Sequence, residues 1–526
     1  MKKNIIVSAL FFMCGLLTTG AQTYDTEIVQ GPEYIESCRE NAMFITGVSP
    51  NGKYCWGNSM QNAYYYDTET GEYAVISITE EQKLDGWKDS KIAGITDEGI
   101  AVICHGLREC YTLNIATGEK IMIESPSEEY PYLHFWDMTP DGRILAGNCI
   151  NDVNKQRPAY AERQQDGTYK VTMLDYDSDD AMGAPAQFTQ VRVVSNNGKY
   201  LAGPQVSETG FVARYVIWTL NDEGKYVYSS PFDDLLYDTT QEKPGVQPVF
   251  ADFVTATDKT SDEYKEQKAL FDQALADWRK KFSAYTKNYT SVDWGGLSRS
   301  VCGENICGTL KTPLGRKKSK FSPLFYNFET QETVLLDTIA DNYKGKDVLT
   351  DNRYISLTGP KDVWFKVMIT DNGVTIPFHE WIYQKTGTDI TDFYFTSFTD
   401  KFTWTTYEDV FMGIPCFSAD GRTMVMTTWV GSEYVTSIIK FSNSIFGSVE
   451  TEIKAEVADT FRVHGSVIDS EDALVEAYAS DGRMVASVRV SGRTDLAEVL
   501  APGIYVVKVI SKDNKAEAFK IIVNGR

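Results

Sequence analysis

The sequence of 526 residues predicts an all-β protein: a seven-bladed β-propeller with a helical insertion, followed by a small C-terminal Ig-like β-sandwich. Three observations predict the propeller. A short phrase recurs seven times, a second hairpin follows most copies, and three of the six intervals between copies are about 40 to 50 residues, which is typical of four-stranded repeats. We expect a signal peptide at 1–21, the propeller at 23–446 and the C-terminal domain at 450–526.

The N-terminus has the pattern of a secretory signal peptide. Lys2 and Lys3 precede an apolar run from Ile5 to Leu17, and small residues lead to a cleavage site after Ala21. The run is too short to span a bilayer, and no later run of about 18 apolar residues occurs, so we expect no transmembrane segment. The protein is therefore predicted to be exported, to the cell surface, the outer membrane or the medium.

The repeated phrase begins with Ser or Thr, has Asn or Asp and Gly near its middle, and ends on an apolar strand closed by a small residue. Ser195-Asn-Asn-Gly-Lys-Tyr-Leu-Ala-Gly203 is one copy. The copies begin at Ser49, Thr96, Thr139, Ser195, Ser300, Leu349 and Ser418, the copy at Leu349 being the weakest. Because Asn-Gly and Asp-Gly accept positive φ, each phrase predicts two antiparallel strands joined by a tight turn.

The last copy is followed by too little chain for a full unit, so we expect the segment from Thr23 to Val29 to close the propeller against it. The Ser418-Ala-Asp-Gly-Arg-Thr423 copy approaches a sialidase-type Asp-box, but we interpret it as a turn within a blade. The whole pattern, from Phe44 to Phe446, resembles the Asp-Gly repeats of WD40-like bacterial propellers. That resemblance implies an architecture but does not indicate an activity.

A helix is predicted inside the long interval between the fourth and fifth copies, at about 258–290. Thr260-Ser-Asp-Glu263 has the pattern of a capping box. Apolar residues then recur at helical spacing at Phe271, Leu275, Trp278 and Phe282. This stripe favours packing against the propeller body; a partner-binding helix is the alternative.

Short alternating strands follow from about residue 450, ending in Ala501-Pro-Gly-Ile-Tyr505 and Lys520-Ile-Ile-Val523. The order of these segments resembles the C-terminal sorting domain of type IX secretion cargo in Bacteroidota, and the matching residues are Gly503, Tyr505, Lys508 and Lys520. The resemblance implies that the secretion machinery is a partner of this domain. It also implies that the domain carries the protein across the outer membrane.

The net charge excludes one class of partner, and the cysteines raise the question of a disulfide. The formal net charge of −22 repels a phosphate backbone, so nucleic acid is not an expected partner. Of nine cysteines, Cys104 and Cys110 flank a short loop between two predicted strands. This spacing is consistent with a disulfide between them and also with a pair of buried thiols.

The sequence contains few signals of catalysis. Its four histidines lack metal-binding spacing, and no nucleophile elbow, phosphate loop or dinucleotide fingerprint occurs, so we expect no metal and no cofactor. Our leading hypothesis is a noncatalytic propeller that binds a protein or carbohydrate ligand. An extracellular polysaccharide hydrolase or lyase, with its site at the propeller mouth, is the first alternative, and a structural envelope component is the second.

Candidate ligand-binding residues follow from position, because propellers bind through loops on one face. The basic loop at Arg316 to Lys318 suits an anionic glycan or an acidic protein segment, although solvated lysines are the alternative. The aromatic residues suit sugars, with core packing as the alternative. The candidates are His105, Arg108, Asp152, Arg157, Trp278, Trp294, Arg316, Lys317, Lys318 and Trp429.

Overall fold

The computed structural model divides the chain into two compact units, residues 1–447 and 448–526. It describes residues 26–30, 44–58, 62–84, 89–207, 213–237, 242–287, 289–293, 297–299, 304–313, 319–336, 343–350, 353–358, 366–391, 396–399, 406–410, 415–430, 433–446, 461–464, 467–479, 484–496, 499–500, 503–511 and 516–523. The predicted signal peptide lies outside these ranges. None of the described helices is long and apolar enough to cross a membrane.

The first part of the chain forms strand β1 and three antiparallel sheets of four strands each. Strand β1 is Thr26–Gln30, and the first sheet is β2 (Phe44–Val48), β3 (Tyr54–Asn58), β4 (Asn62–Asp67) and β5 (Tyr73–Ser77). After helix α1 (Glu80–Leu84), the second sheet is β6 (Ser90–Ile95), β7 (Ile100–His105), β8 (Glu109–Asn114) and β9 (Lys120–Ile123). The third is β10 (Tyr132–Met138), β11 (Ile144–Ile150), β12 (Gln156–Arg163) and β13 (Tyr169–Met173).

The fourth and fifth sheets have an interrupted first strand. The fourth sheet is β14 (Ala186–Thr189), β15 (Val193–Val194), β16 (Tyr200–Ser207), β17 (Ala213–Leu220) and β18 (Tyr226–Ser229). Helices α2 (Asp233–Leu236), α3 (Phe250–Phe253) and α4 (Asp262–Thr286) follow. The fifth sheet is β19 (Ser291–Val292), β20 (Ser298–Arg299), β21 (Asn305–Pro313), β22 (Ser319–Asn327) and β23 (Thr333–Leu335).

Two more sheets complete the first unit. The sixth is β24 (Tyr343–Thr350), β25 (Arg353–Thr358), β26 (Lys366–Asp371) and β27 (Val374–Pro377). Helix α5 (Phe378–Thr386) and a hairpin of β28 (Thr396–Thr399) and β29 (Thr406–Val410) lengthen the next interval. The seventh sheet is β30 (Cys416–Phe417), β31 (Thr423–Val430), β32 (Glu433–Phe441) and β1.

Strand β1 completes the seventh sheet, as the sequence predicts. It pairs antiparallel with β32, from Thr26 opposite Phe441 to Gln30 opposite Ser437. The last sheet therefore combines strands from the two ends of the first unit. This pairing satisfies the outer edge of β32 and links both ends of the unit by backbone hydrogen bonds.

The Ser or Thr, Asn or Asp, and Gly of the repeated phrase form a hydrogen-bonded turn. In the fourth copy the Ser195 hydroxyl accepts from the Tyr200 N–H at 2.9 Å and donates to Asn197 Oδ1 at 2.8 Å. Asn197 Oδ1 also accepts from the Lys199 N–H, and the Gly198 N–H donates to the Ser195 carbonyl. Gly198 has φ of 71°, whereas Asn197 is not among the positive-φ residues. The glycine therefore supplies the positive φ of the turn, and Asn197 acts through its side-chain hydrogen bonds.

The hydrophobic core lies mainly between neighbouring sheets. Tyr54 and Ala63 of the first sheet pack with Ile92 and Ile103 of the second, and these side chains are all buried. In the same way Ala146 of the third sheet packs with buried residues of the fourth. Each sheet is thus covered on both faces by its neighbours, which explains the long buried runs in the middle strands.

Helix α4 confirms the predicted helix, with its cap one residue later than expected. Ser261 is the N-cap, and its hydroxyl accepts from the Tyr264 N–H at 3.1 Å. Thr260 instead bonds Asp258, so the predicted capping box does not form in that register. Toward its C-terminal end, α4 packs Phe282 and the buried Tyr285 against the core that the fourth and fifth sheets share.

The C-terminal unit is an antiparallel sheet of five described strands. They are β33 (Phe461–His464), β34 (Val467–Ala479), β35 (Met484–Asp495), β36 (Gly503–Ser511) and β37 (Ala516–Val523). Strand β34 pairs with β35 on one side and with β33 and then β36 on the other. Because the described strands join one sheet, the two-sheet Ig-like sandwich stays a prediction.

The four residues of the sorting-domain motif lie on the last two strands of this sheet. Gly503 begins β36, the half-buried Tyr505 packs against the core of this unit, and Lys508 forms an ion pair with Glu476 at 3.9 Å. Lys520 lies opposite Val506 in β37. Their role in secretion stays a prediction.

Candidate functional site

A cavity of about 290 Å³ lies where the first strands of the seven sheets meet. Each sheet supplies to its wall the residue three positions before the start of the repeated phrase. We call this set the collar, and it consists of Thr46, Ala93, Trp136, Arg192, Leu297, Lys346 and Pro415. The repeat thus brings together seven residues of different chemistry from distant parts of the chain.

A β-bulge places collar residues in the wall. The register with the second strand shifts around Thr46, Ala93, Trp136 and Lys346, so each of these residues is the extra one in its strand. A bulge bends the strand and redirects a side chain. Gly147 permits the bend because a Cβ there would lie 2.2 Å from the His134 carbonyl oxygen. The small residue that ends the phrase therefore has a steric cause.

Trp136 and Arg192 form the most distinctive pair of the collar. The Arg192 guanidinium carbon lies 3.8 Å from the centre of the Trp136 ring, and the Lys91 ammonium lies 5.3 Å from it. Both are cation–π contacts, which Arg and Trp form most favourably. Burial lowers the pKa of Arg192 to about 10, so the guanidinium stays charged at neutral pH. Two cations therefore contact one indole beside the cavity.

His134 lies behind this pair as a buried, uncharged ring. It is 1% exposed, and its centre lies 4.1 Å from that of Trp136. Burial lowers the pKa of His134 to about 3. Since Nδ1 lies 2.8 Å from the Gly106 carbonyl oxygen, the neutral ring donates from Nδ1. Its Nε2 and the Trp136 Nε1 are buried without a hydrogen-bond partner among the described residues.

One carboxylate occurs among the described residues that line the cavity. Asp137 accepts the Val194 N–H through Oδ2 at 2.9 Å, a contact that links the third and fourth sheets. Glycoside hydrolysis by paired carboxylates requires a second acid about 5 to 10 Å away. No group of three metal-ligating side chains occurs in the described ranges. The described wall therefore lacks the carboxylate pair that this reaction uses.

Two predicted site residues, Arg108 and Asp152, meet on one tyrosine. The Arg108 guanidinium carbon lies 4.2 Å from the Tyr132 ring centre, and the Tyr132 hydroxyl donates to Asp152 Oδ1 at 2.8 Å. Arg108 and Tyr132 also line a second cavity of about 530 Å³ at the second and third sheets. Its lining includes Glu109 and Glu124, so this cavity is more acidic than the central one.

Arg157 and His105 are each held by aromatic neighbours. The Arg157 guanidinium carbon lies 5.9 Å from the Tyr130 ring and 5.8 Å from the Tyr176 ring. His105 is buried between the Ser90 hydroxyl at 2.8 Å and the Tyr111 hydroxyl at 3.1 Å. Burial and then the nearby Lys120 lower the pKa of His105. Neither residue lines the central cavity among its described wall residues.

Among the remaining candidates, the structure describes the side chain of Trp278. Trp278 donates from Nε1 to the Gly245 carbonyl at 3.0 Å and stacks on Phe282 at 4.8 Å, so it packs the helix against its own connection. Trp429 lies in β31, and nothing is described of its side chain. Trp294, Arg316, Lys317 and Lys318 lie outside the described residues.

Cys104 and Cys110 face each other across β7 and β8 as free, buried thiols. Cys110 Sγ donates to Cys104 Sγ at 2.8 Å, and Cys104 Sγ also accepts from the Phe135 N–H at 3.3 Å. Burial raises the pKa of the Cys110 thiol, which keeps it protonated at neutral pH. A disulfide between them stays a prediction.

The sequence-based candidates do not include the collar residues Trp136, Arg192 and Lys346, nor the neighbouring Lys91. A signal for the collar is present in the sequence, because each of its residues lies at one fixed distance before the phrase. At Thr46, Ala93, Trp136 and Lys346 the side chain is redirected by a bulge, which strand alternation does not reveal.

The fold is an all-β propeller: within the described residues, seven sheets of at least four strands surround one cavity. The chain matches no protein-family model and no curated protein. Among solved structures it is similar to an oligogalacturonate lyase in complex with manganese, at 10% identity and TM-score 0.44 over 81% of this chain and 98% of that one. It is also similar to the Dos1 propeller, at 9% identity and TM-score 0.42 over 80% and 94%. TolB from Acinetobacter baumannii is similar at 12% identity and TM-score 0.29 over 74% and 81%.

Proposed function

We propose that this propeller binds a carbohydrate at its central cavity and does not transform it. The observation that carries the proposal is the collar, which places Trp136, the cations Arg192 and Lys346, and apolar residues around one cavity. The volume of about 290 Å³ is near the lower end of small-ligand sites, which range from roughly 300 to 1,000 Å³. Such a space suits one end of a glycan better than a protein surface.

A glycan array tests this proposal with one blocking variant. Thr46 is an exposed collar residue, so Thr46→Trp adds bulk at the cavity without removing packing from the core. Thr117→Trp adds the same bulk in an exposed turn of the second sheet and is the matched control. We expect glycan binding by the unmodified protein and by Thr117→Trp, and loss of binding by Thr46→Trp.

Three results would contradict the proposal. Binding that survives Thr46→Trp would place the ligand outside the cavity, for example at a loop surface that recognises a protein. Release of a modified glycan would support the hydrolase or lyase alternative. A protein that binds no glycan would favour a structural role in the envelope.

We further propose that the protein is exported and reaches the cell surface through its C-terminal domain. The support is the signal-peptide pattern around Lys2 and Lys3 and the motif residues Gly503 and Tyr505. The test compares protease accessibility on intact cells for the full chain and for a truncation lacking residues 450–526. Surface exposure of the full chain alone supports the proposal, whereas equal exposure of both refutes it.

A further inference from the structure

The charge of the cavity wall differs from that of the whole protein. The chain carries a formal net charge of −22, yet the charged residues among the described wall residues are Arg192, Lys346 and Asp137, with two cations to one acid. The acid is engaged by a backbone N–H. The cavity is therefore locally positive inside an acidic molecule, and such a field attracts anions.

Arg192 is held in place by a buried polar network. Its Nε donates to Gln190 Oε1 at 2.7 Å, and Gln190 Nε2 donates to Gln156 Oε1 at 2.6 Å. Asn148 Nδ2 donates to the same Gln156 oxygen at 3.1 Å. Gln190 and Asn148 are buried, at 4% and 0% exposure. These bonds occupy the Nε edge and leave the terminal nitrogens of the guanidinium for another acceptor.

No ion pair joins Arg192 to a described residue: the described contacts of its side chain are with Gln190 and the Trp136 ring. A partly buried guanidinium without a carboxylate is costly, and a bound anion would offset that cost. The planar fork of arginine matches a carboxylate or a sulfate with two parallel hydrogen bonds.

We propose that the ligand of the central cavity is an acidic sugar whose carboxylate or sulfate group binds Arg192, with Lys346 as the second cation. The inference rests on the proposed carbohydrate-binding function and specifies the class of sugar. Trp136 holds the guanidinium from its face and also forms part of the wall that the sugar contacts.

The test uses three matched probes: D-glucuronate, D-glucose 6-sulfate and the neutral D-glucose, titrated at low salt and followed by saturation-transfer NMR. We expect at least one acidic probe to bind about tenfold or more tightly than glucose, because a charge-assisted bidentate pair contributes that much. The preferred acid identifies the anionic group. Added salt should weaken binding of the acidic probe and leave glucose unchanged.

Variants assign the effect to Arg192. Arg192→Gln keeps a donor for Gln190 and removes the charge, so the acidic probe should bind as weakly as glucose. Arg192→Lys keeps the charge without the fork and should retain part of the preference. Lys120→Gln is the control, since Lys120 also lies over an aromatic ring, at 4.9 Å from Tyr111, but does not line the cavity.

Failure of this inference is distinguishable from failure of the proposed function. Equal binding of glucose and the acidic probes, blocked by Thr46→Trp, would overturn the acidic-sugar inference and leave carbohydrate binding intact. Salt-independent binding of the acidic probe would also overturn it, even if Arg192→Gln does not fold. If no probe or array glycan shows binding that Thr46→Trp blocks, both proposals are wrong.

Discussion

Removing one hydroxyl from the repeated turn should destabilise the whole propeller. Ser195 is 1% exposed, and its Oγ is the acceptor for the Tyr200 N–H at 2.9 Å and the donor to Asn197 at 2.8 Å. In Ser195→Ala the buried N–H loses this acceptor and Asn197 loses one donor. Leaving a buried donor unsatisfied costs about 1–3 kcal/mol, so we expect a loss of about 2 kcal/mol in the free energy of unfolding.

The assay is urea unfolding of the full chain at neutral pH, followed by tryptophan fluorescence, with the stability change taken from the midpoint and the slope. Ser195→Thr is the matched control, because Thr139 occupies the same position in the third sheet. Thr139 Oγ1 accepts from Ile144 at 3.0 Å and donates to Asp141 at 2.6 Å. The reasoning is refuted if Ser195→Ala changes stability by less than about 0.5 kcal/mol, or if Ser195→Thr is equally destabilising.

Three further outcomes are expected. Trp218→Ala should lower the free energy of unfolding by about 3–5 kcal/mol, because the indole is fully buried and donates to the Asp175 carbonyl at 2.8 Å; Trp218→Phe should cost less, and equal losses in urea unfolding would contradict this. The pKa of His134 is about 3 in the folded protein and about 6.5 in the unfolded chain, so the unfolded chain takes up a proton first as the pH falls. The free energy of unfolding should therefore be independent of His134 above pH 6.5 and fall between pH 6.5 and 3, by up to about 1.4 kcal/mol per pH unit. Urea unfolding from about pH 7 to pH 4 measures the slope, and His134→Gln should reduce it; an unchanged slope would exclude His134. Refolding in the presence of oxidised glutathione, when the thiols that the fold buries are accessible, should convert Cys104 and Cys110 to a disulfide. Each thiol gives up a proton and an electron to the oxidant, so the intact mass should fall by about 2 Da; an unchanged mass, or an equal fall in Cys104→Ser, would contradict the pairing.

The local parts of this fold follow from the sequence because their causes are local. The phrase at Ser195 contains every side chain that its turn needs, so it predicts a hairpin without knowledge of the rest of the chain. The same holds for α4, whose apolar stripe and N-terminal Ser261 lie within one segment. The error here is correspondingly small: the cap of α4 lies one residue later than predicted.

The candidate functional site is harder to predict from the sequence than the fold. Chemical type and loop position predict Arg108 and Asp152, which do meet on Tyr132, but these criteria overlook Trp136 and Arg192. Trp136 lies within a strand and Arg192 lies between two short ones, so both resemble ordinary sheet residues in the sequence. Their pairing depends on two adjacent sheets and on the backbone bend that Gly147 permits.

The sequence by itself determined the repeat, the number of its copies, the position of the inserted helix and the contribution of the N-terminal strand to the last sheet, because hairpin turns and helix periodicity are encoded over a few residues. Only the tertiary structure decided that Arg192 and Lys346 line one cavity and that Arg192 lacks a carboxylate partner among the described residues. Contacts between residues so distant in the chain arise from closure of the seven sheets, and their electrostatics depend on burial that no local pattern specifies.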